Sequence, residues 1–484
     1  MNYKAISQSD FSLDYTSGFS GAAFDIVEPA TGTVFGSVNA ATADEASTVI
    51  ERCKAAQPEW AASTFEQRAV ILRRFAQALE DNAELIHTWN ARECGSIRPK
   101  SEWELQACIE QTYMAASQAQ APNGEIYPST MPGRKNMRVR IPVGVVGVIA
   151  PWNFPLLLSL RAVLPALAMG NAVVLKPDPQ SFFTGGVIIK ELMDAAGLPE
   201  GVLGLLPGGA EPGQAVVEHP ATGMIAFTGS TAVGRSIARH CAETFKKTSL
   251  ELGGNNAFIV LDDADIDSAS SCAAWGAFLH QGQICMQSGR HIVHEDIAGA
   301  YINALAERAN NLYAGNPFTE QCHLGPLINQ TQADKVKSLI DDSVAMGAEI
   351  VAGGTVDGRL VRPTVLKNVT PEMPVFKQEI FGPVAPVVTF KTEQEAIALA
   401  NATDLGLSAS IHTGDSAKGE YLAGLIDAGM VHVNDQTVNN EYHIPFGGLK
   451  DSGDAGRIGG PVNLEEFTHN KWISVMNKGI QYPF

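Results

Sequence analysis

Between Arg138 and Glu251 the chain repeats one unit, a short apolar run followed by a stretch of helix length. The runs fall at 144–150 (GVVGVIA), 172–175 (AVVL), 202–206 (VLGLL), 224–227 (MIAF) and 248–250. Segments such as 184–196 and 232–243 separate them. Runs this short and this continuously apolar suit strands buried on both faces, and helices between them supply the crossovers that parallel strands need. The alternation therefore predicts a parallel, doubly wound sheet of Rossmann character. A second alternation begins after Gly253-Gly254, with apolar runs at 257–261, 292–293, 384–390, 407–411 and 429–433 and a helix at 266–278. The first 120 residues read mainly as helix: Val70, Leu72, Phe75, Leu79 and Ile86 recur at three- and four-residue spacing within 65–94, and 44–60 behaves likewise. Asn123-Gly124 and 128–133 punctuate a short extended region, and the stretch from residue 470 alternates enough for an edge strand with a tail. For 484 residues, at roughly 150 per domain, two α/β domains and a small β element fit the length.

Composition narrows the partners. A formal net charge of −18 repels phosphate backbones and anionic lipid heads, so neither nucleic acid nor a membrane surface is an expected partner. Seven cysteines stand singly, an odd number with no CxxC pair, which excludes a disulfide framework and points to a reducing compartment. The first fifteen residues are polar and lack the apolar core of a signal peptide. The most apolar stretch, 154–170, is too short to span a bilayer and contains Arg161, Pro155 and Pro165, so it is expected to be a buried helix. A soluble, cytoplasmic protein is the expectation.

Several residues carry candidate chemistry. Cys285 sits in FLHQGQICMQSGR, where a loop or helix entry would offer backbone N–H groups to a thiolate; the alternative is a small buried hydrophobe. Glu251 ends a predicted strand just before two glycines, at the strand end where open α/β sheets bind ligands, and could serve there as a general base or be simply solvated. Asn153, between two prolines in PWNFP, offers a stiffly held amide to an oxyanion, or acts as an ordinary turn residue. GSTAVG (229–234) joins a strand to a helix and could cradle a pyrophosphate or be a plain capped turn. Lys176 ends AVVLK at the same sheet edge. No zinc, phosphate-loop or GxSxG pattern occurs, and His280, His291 and His294 lack metal-ligand spacing, so no metal is expected.

Together PWNFP, GNAVVLKP, FTGSTAVG, LELGG, QGQICMQSGR, EIFGPV and PFGGLKDSG, in this order and spacing, resemble the aldehyde dehydrogenase superfamily over essentially the whole chain. The resemblance implies a dinucleotide-binding domain (1–119 and 142–252), a catalytic domain (253–453) and a β oligomerisation arm (120–141 and 465–484), in a homodimer or homotetramer. It implies Cys285 as nucleophile, Glu251 as the base that activates water, and Asn153 as the oxyanion amide. An aldehyde would be oxidised through a thiohemiacetal and a thioester to the acid. For the cofactor it implies Gly229, Ser230 and Gly234 at the pyrophosphate, Lys176 at the adenosine ribose, and Glu379 and Phe381 at the nicotinamide ribose. Pro151, Trp152, Gly209, Gly213, Phe227, Val233 and Leu252 complete that site. The family's common NAD pattern has glutamate three residues after the lysine; here Pro179 stands there, which keeps NADP open beside NAD. Asn255 and Asn256 after LELGG are a second departure. WNARECGSIRPK, 272–294 and the terminal QYPF resemble the NAD-dependent benzaldehyde dehydrogenase branch of aromatic-compound degradation. A flat apolar cleft lined by Phe154, Ile284 and Met286 would suit an aromatic aldehyde. Aliphatic aldehydes or semialdehydes, acyl transfer to coenzyme A, and a catalytically idle relative are the competing readings.

Overall fold

The computed structural model describes residues 18–454 and 456–484; the polar N-terminal segment considered above lies outside them. A hairpin of β1 (Ala23–Val27) and β2 (Val34–Asn39) opens the chain, followed by four helices: α1 (Ala43–Ala62), α2 (Phe65–Asp81), α3 (Ala83–Cys94) and α4 (Arg98–Gln118). Thr42 and Thr64 start α1 and α2 with reciprocal capping boxes to Glu45 and Gln67. The apolar stretch 65–94 is broken at Asn82, so it forms two helices where periodicity alone reads as one.

After β3 (Gly124–Tyr127) and β4 (Arg134–Pro142) come β5 (Val145–Ile149), α5 (Pro155–Ala168), β6 (Ala172–Lys176), α6 (Ile188–Ala195), β7 (Leu203–Leu205), α7 (Ala210–Glu218), β8 (Thr222–Thr228), α8 (Thr231–Thr244) and β9 (Lys247–Glu251). These strands make an all-parallel sheet in the order β7-β6-β5-β8-β9. Chain order reverses between β5 and β8, which makes their carboxyl ends the topological switch point. Every residue of α5 is buried, including Arg161. Among the described residues no helix is long and apolar enough to cross a membrane.

A second sheet takes β10 (Asn256–Val260), β11 (Ser288–His294), β12 (Glu349–Ala352), β13 (Thr364–Lys367), β14 (Val384–Phe390), β15 (Ser408–His412) and β16 (Met430–Val433), in the order β12-β13-β14-β11-β10-β15-β16. Only the β12–β13 pair is antiparallel. Helices α9 (Ile266–Phe278), α10 (Glu295–Asn310) and α11 (Gln330–Ala345) belong to this half. The final strand, β17 (Thr468–Met476), pairs with β4 and so joins β3 in a separate three-stranded antiparallel sheet.

Candidate active site

Three neighbouring strands of the second sheet, β14, β11 and β10, run parallel and turn their amino ends toward the switch point of the first. Cys285 lies just before β11, in a turn closed by Gln287 N–H donating to the Ile284 carbonyl at 2.9 Å. From His280 to Val293 it is the one residue that is not buried. The thiol does not stand at a helix N-terminus, so the helix-entry reading is corrected: a turn leading into a strand carries it. Burial pushes its pKa up to about 12, and Glu379 and Glu251 push the same way. The Arg161 guanidinium and the Met286 backbone N–H oppose them.

Asn256, at the start of β10, holds this turn. Its Nδ2 donates to the carbonyls of Cys285 (2.9 Å) and Gln287 (2.7 Å), while its Oδ1 accepts the Ser408 N–H at 2.9 Å. Asn255 donates to the Phe376 carbonyl at 2.7 Å. The two asparagines after LELGG are therefore clamps, and the sequence carries their oddity without their purpose. Gly254 is demanded by the same closeness, because a Cβ there would lie 2.2 Å from the Cys285 carbonyl oxygen.

From the first sheet, Asn153 follows β5. It is 4 % exposed and its Nδ2 donates to the Gln283 carbonyl at 2.9 Å, two residues from Cys285. One amide hydrogen meets that carbonyl and the second is left for another acceptor. Glu251 ends β9, 3 % exposed, with Oε2 lacking any hydrogen-bond partner. Burial raises its pKa to about 8; Arg161 and Arg457 act to lower it, and Asp454 and Glu466 to raise it. Arg161, whose orientation the sequence leaves open, is buried on α5 among these groups. Its Nη2 donates to Asn440 Oδ1 at 3.0 Å and its guanidinium lies 4.1 Å over the Phe446 ring.

A narrow pocket adjoins Arg161, with Gln111, Met114, Asn440, Tyr442 and Phe446 among its walls. Gln111 Oε1 and Asn440 Nδ2 are buried without partners there. No sequence signal singles out Gln111 or Asn440, while Phe446 lies within the PFGGLKDSG motif. The expected cleft of Phe154, Ile284 and Met286 needs correction. Ile284, at 1 % exposure, is a core residue, since in a tight turn neighbours of Cys285 point away from it. Met286 is buried at 6 %, and the Phe154 ring is covered by Lys100, Trp103 and His280.

The cofactor candidates gather around the switch point. Lys176 ends β6, nearly buried, with its pKa lowered by burial and Asp178 acting against that. A Cβ added at Gly213 on α7 would lie 3.5 Å from the Lys176 side chain, and Gly209 is the residue before α7. Phe227 lies on β8, Gly229 follows it, and Ser230 precedes α8 without making a side-chain cap. The opening N–H groups of α8 are thus left to another acceptor, as an anionic pyrophosphate would need. Gly234 packs on Leu252, while Val233 is half exposed. Pro179 opens a short helical turn capped by Asp178, whose Oδ1 accepts the Gln180 N–H at 2.9 Å. Opposite them, Glu379 accepts the Gly254 N–H at 2.9 Å. Phe381 meets Trp152, which follows Pro151, edge to face at 5.6 Å. Lys335 and Gln332 of α11 hold the Glu379 and Phe381 carbonyls at 2.8 and 2.9 Å. These residues have the chemistry a dinucleotide needs: an open helix end and a cation at the strand ends of the first sheet, and a carboxylate in the segment before β14 of the second.

A family model described as the aldehyde dehydrogenase family matches residues 15–473, and the chain belongs to that family. It is 51 % identical over 474 residues to a benzaldehyde dehydrogenase of Pseudomonas putida whose name specifies NAD(+), covering 98 % of this chain and 97 % of the relative. A vanillin dehydrogenase of an Amycolatopsis species is 48 % identical, with 95 % and 94 % covered. The crystal structure of a salicylaldehyde dehydrogenase from Pseudomonas putida G7, complexed with salicylaldehyde, superimposes with a TM-score of 0.92 at 34 % identity, covering 96 % of each chain.

Proposed function

We propose that the protein oxidises an aromatic aldehyde, benzaldehyde or a ring-substituted relative, to its carboxylic acid. The observation that carries the reading is the gathering around Arg161 and the Cys285 turn of a partly exposed thiol, a buried carboxyl with an unpartnered oxygen, and an amide bonded to Gln283. Cys285 gives up its thiol proton to solvent, Arg161 and the Met286 N–H favouring the thiolate, and the sulfur adds to the carbonyl carbon; the resulting oxyanion is stabilised by the free N–H of Asn153 and the Cys285 backbone N–H. A nicotinamide dinucleotide bound in the cleft supplies the hydride acceptor. Glu251, as carboxylate, then takes a proton from the water that hydrolyses the Cys285 thioester. Arg161 offsets the negative charge gathered on Cys285 and Glu251.

The aromatic substrate class is supported by the relatives named for benzaldehyde and vanillin and by the structural relative solved with salicylaldehyde. NAD is the proposed cofactor, and NADP is admitted because Pro179 offers no carboxylate against a 2′-phosphate. The proposed division into a dinucleotide-binding domain (1–119 and 142–252) and a catalytic domain (253–453) is supported by the two sheets, whose strands fall within 145–251 and 256–433. The three-stranded sheet, with Ile126, Tyr127 and Trp472 exposed, is proposed as the arm of a homodimer or homotetramer. A cytoplasmic setting accords with the acidic, scattered-cysteine composition. A steady-state matrix of aromatic and short aliphatic aldehydes, each with NAD and NADP, tests the reading. Higher kcat/KM for the aromatic series supports it, and preference for the aliphatic series overturns the substrate class.

A further inference from the structure

Beneath the loop that carries Asn153 lies a buried ion pair on α4. Lys100 and Glu104 are one helical turn apart, 2 % and 0 % exposed, with Nζ 2.7 Å from Oε2. Desolvation offsets much of the attraction in such a pair, so stability alone is a poor reason for it. Its other contacts are more telling. Glu104 Oε1 accepts the N–H groups of Leu156 and Leu157 at 3.0 and 3.1 Å, in the first turn of α5. The N-cap residue of α5, Phe154, supplies no side-chain cap, so a carboxylate from another helix does that work. Asn90 Nδ2 donates to Glu104 Oε2 at 2.7 Å, and Asn90 Oδ1 accepts from Ser96 at 2.6 Å and Lys100 at 3.3 Å.

The ammonium of Lys100 stands 4.3 Å over the Phe154 ring, whose centroid is 5.4 Å from that of His280. The pair thus grips the chain immediately beyond Asn153 in two ways, by backbone N–H groups and by an aromatic face. Asn153 in turn reaches Gln283, and the strand of contact ends at Cys285.

We infer that Lys100 and Glu104 are positioning residues for the Asn153 amide: by fixing the first turn of α5 and the Phe154 ring, they set where its free N–H lies relative to the Cys285 sulfur. The inference rests on the oxyanion role proposed for Asn153. Misplacing a catalytic group by about 1 Å can cost about 10²-fold in rate, which is the scale on which such a device acts.

Two reactions of Cys285 in the full chain separate this role from general disorder. Acylation by p-nitrophenyl acetate forms the S–C bond through an oxyanion and expels p-nitrophenolate. Alkylation by iodoacetamide displaces iodide and forms none. Asn153→Ala, the reference, is expected to slow acylation about 10²-fold and to leave alkylation within roughly twofold. Glu104→Ala should slow acylation by roughly tenfold or more, again sparing alkylation. Lys100→Met with Glu104→Gln, which keeps an oxygen for the Leu156 and Leu157 N–H groups without a buried charge, should recover most of the rate. Should Glu104→Ala fail to fold, Glu104→Gln carries the test, its amide being turned against the Lys100 ammonium. Equal loss of both reactions, or loss of neither, overturns the positioning role. If Asn153→Ala itself leaves acylation unchanged, the oxyanion reading falls and takes this inference with it.

Discussion

The five-stranded sheet contributes its groups from loops that follow strands, whereas the seven-stranded sheet contributes them from segments that precede strands. Asn153, Lys176, Gly229 and Glu251 stand after or at the carboxyl ends of β5, β6, β8 and β9. Cys285, Glu379 and Asn256 stand before or at the amino ends of β11, β14 and β10. The difference has a physical content. Past a strand's carboxyl end the chain commonly enters a helix, so open N–H groups such as those of α8 face the ligand and favour an anion. Before a strand there is no helix dipole, and the segments are held by side-chain clamps: Asn256 on the Cys285 turn, Lys335 and Gln332 on the Glu379 segment. The first sheet thus offers open helix ends beside its strand ends, and the second holds the Cys285 turn by side-chain bonds.

Substitutions on either side can break that division. The largest effect is expected on the seven-stranded side: Cys285→Ala should lower turnover by roughly 10⁴-fold or more while cofactor binding, read by fluorescence titration, is retained. Retained dehydrogenase activity would mean that the sulfur does no chemistry. At the junction of the sheets, Glu251→Gln should slow deacylation by roughly 10²- to 10⁴-fold, with the acyl-enzyme accumulating in mass spectra.

The carboxylate is the active form of this base, and its pKa stands near 8, so wild-type deacylation should rise as pH increases through about 8. Arg161 lowers that pKa, so Arg161→Met should move the rising limb to higher pH; a limb that stays put would remove Arg161 from the site's electrostatics.

Asn256→Ala should cost about 10²-fold in kcat by freeing the Cys285 turn. The carbonyls left unpartnered should cost about 1–3 kcal/mol of stability, measured by denaturant unfolding. If only stability falls, the clamp has no bearing on the thiol. The smallest effect belongs to the binding side. Pro179→Glu should reduce NADP use relative to NAD by about tenfold, through repulsion of the 2′-phosphate. An unchanged ratio of kcat/KM values would show that residue 179 does not face the ribose.

Parts of this site are legible in the chain and parts are not, for reasons visible residue by residue. Glu251 and Asn153 are candidates because they stand at or shortly after the ends of apolar runs, where doubly wound sheets gather ligands, but alone they read equally as a solvated carboxylate and a turn residue, and the family resemblance supplies their expected roles. Cys285 could be picked from seven cysteines by its glycine- and glutamine-rich surroundings, yet its turn could not be told from a helix entry. Ile284 was misplaced by the assumption that sequence neighbours share a surface, which a turn violates. Asn256 stood out as unusual, but its partner Ser408 lies 152 residues away. Likewise, the Lys100–Glu104 pair looks like an ordinary helical i,i+4 pair until α5 is laid over it.

The sequence by itself determined the order of strands and helices, the two centres of α/β alternation and the chemical types available at the strand ends. These follow from periodicity and turn chemistry, which act over a few residues. Only the tertiary structure decided that carboxyl ends of one sheet meet amino ends of the other, that Arg161 lies inside beside Glu251, and that Asn256 holds the turn of Cys285. Such facts depend on contacts between residues far apart in the chain, and no local pattern encodes which side chains a packed interior will bring together.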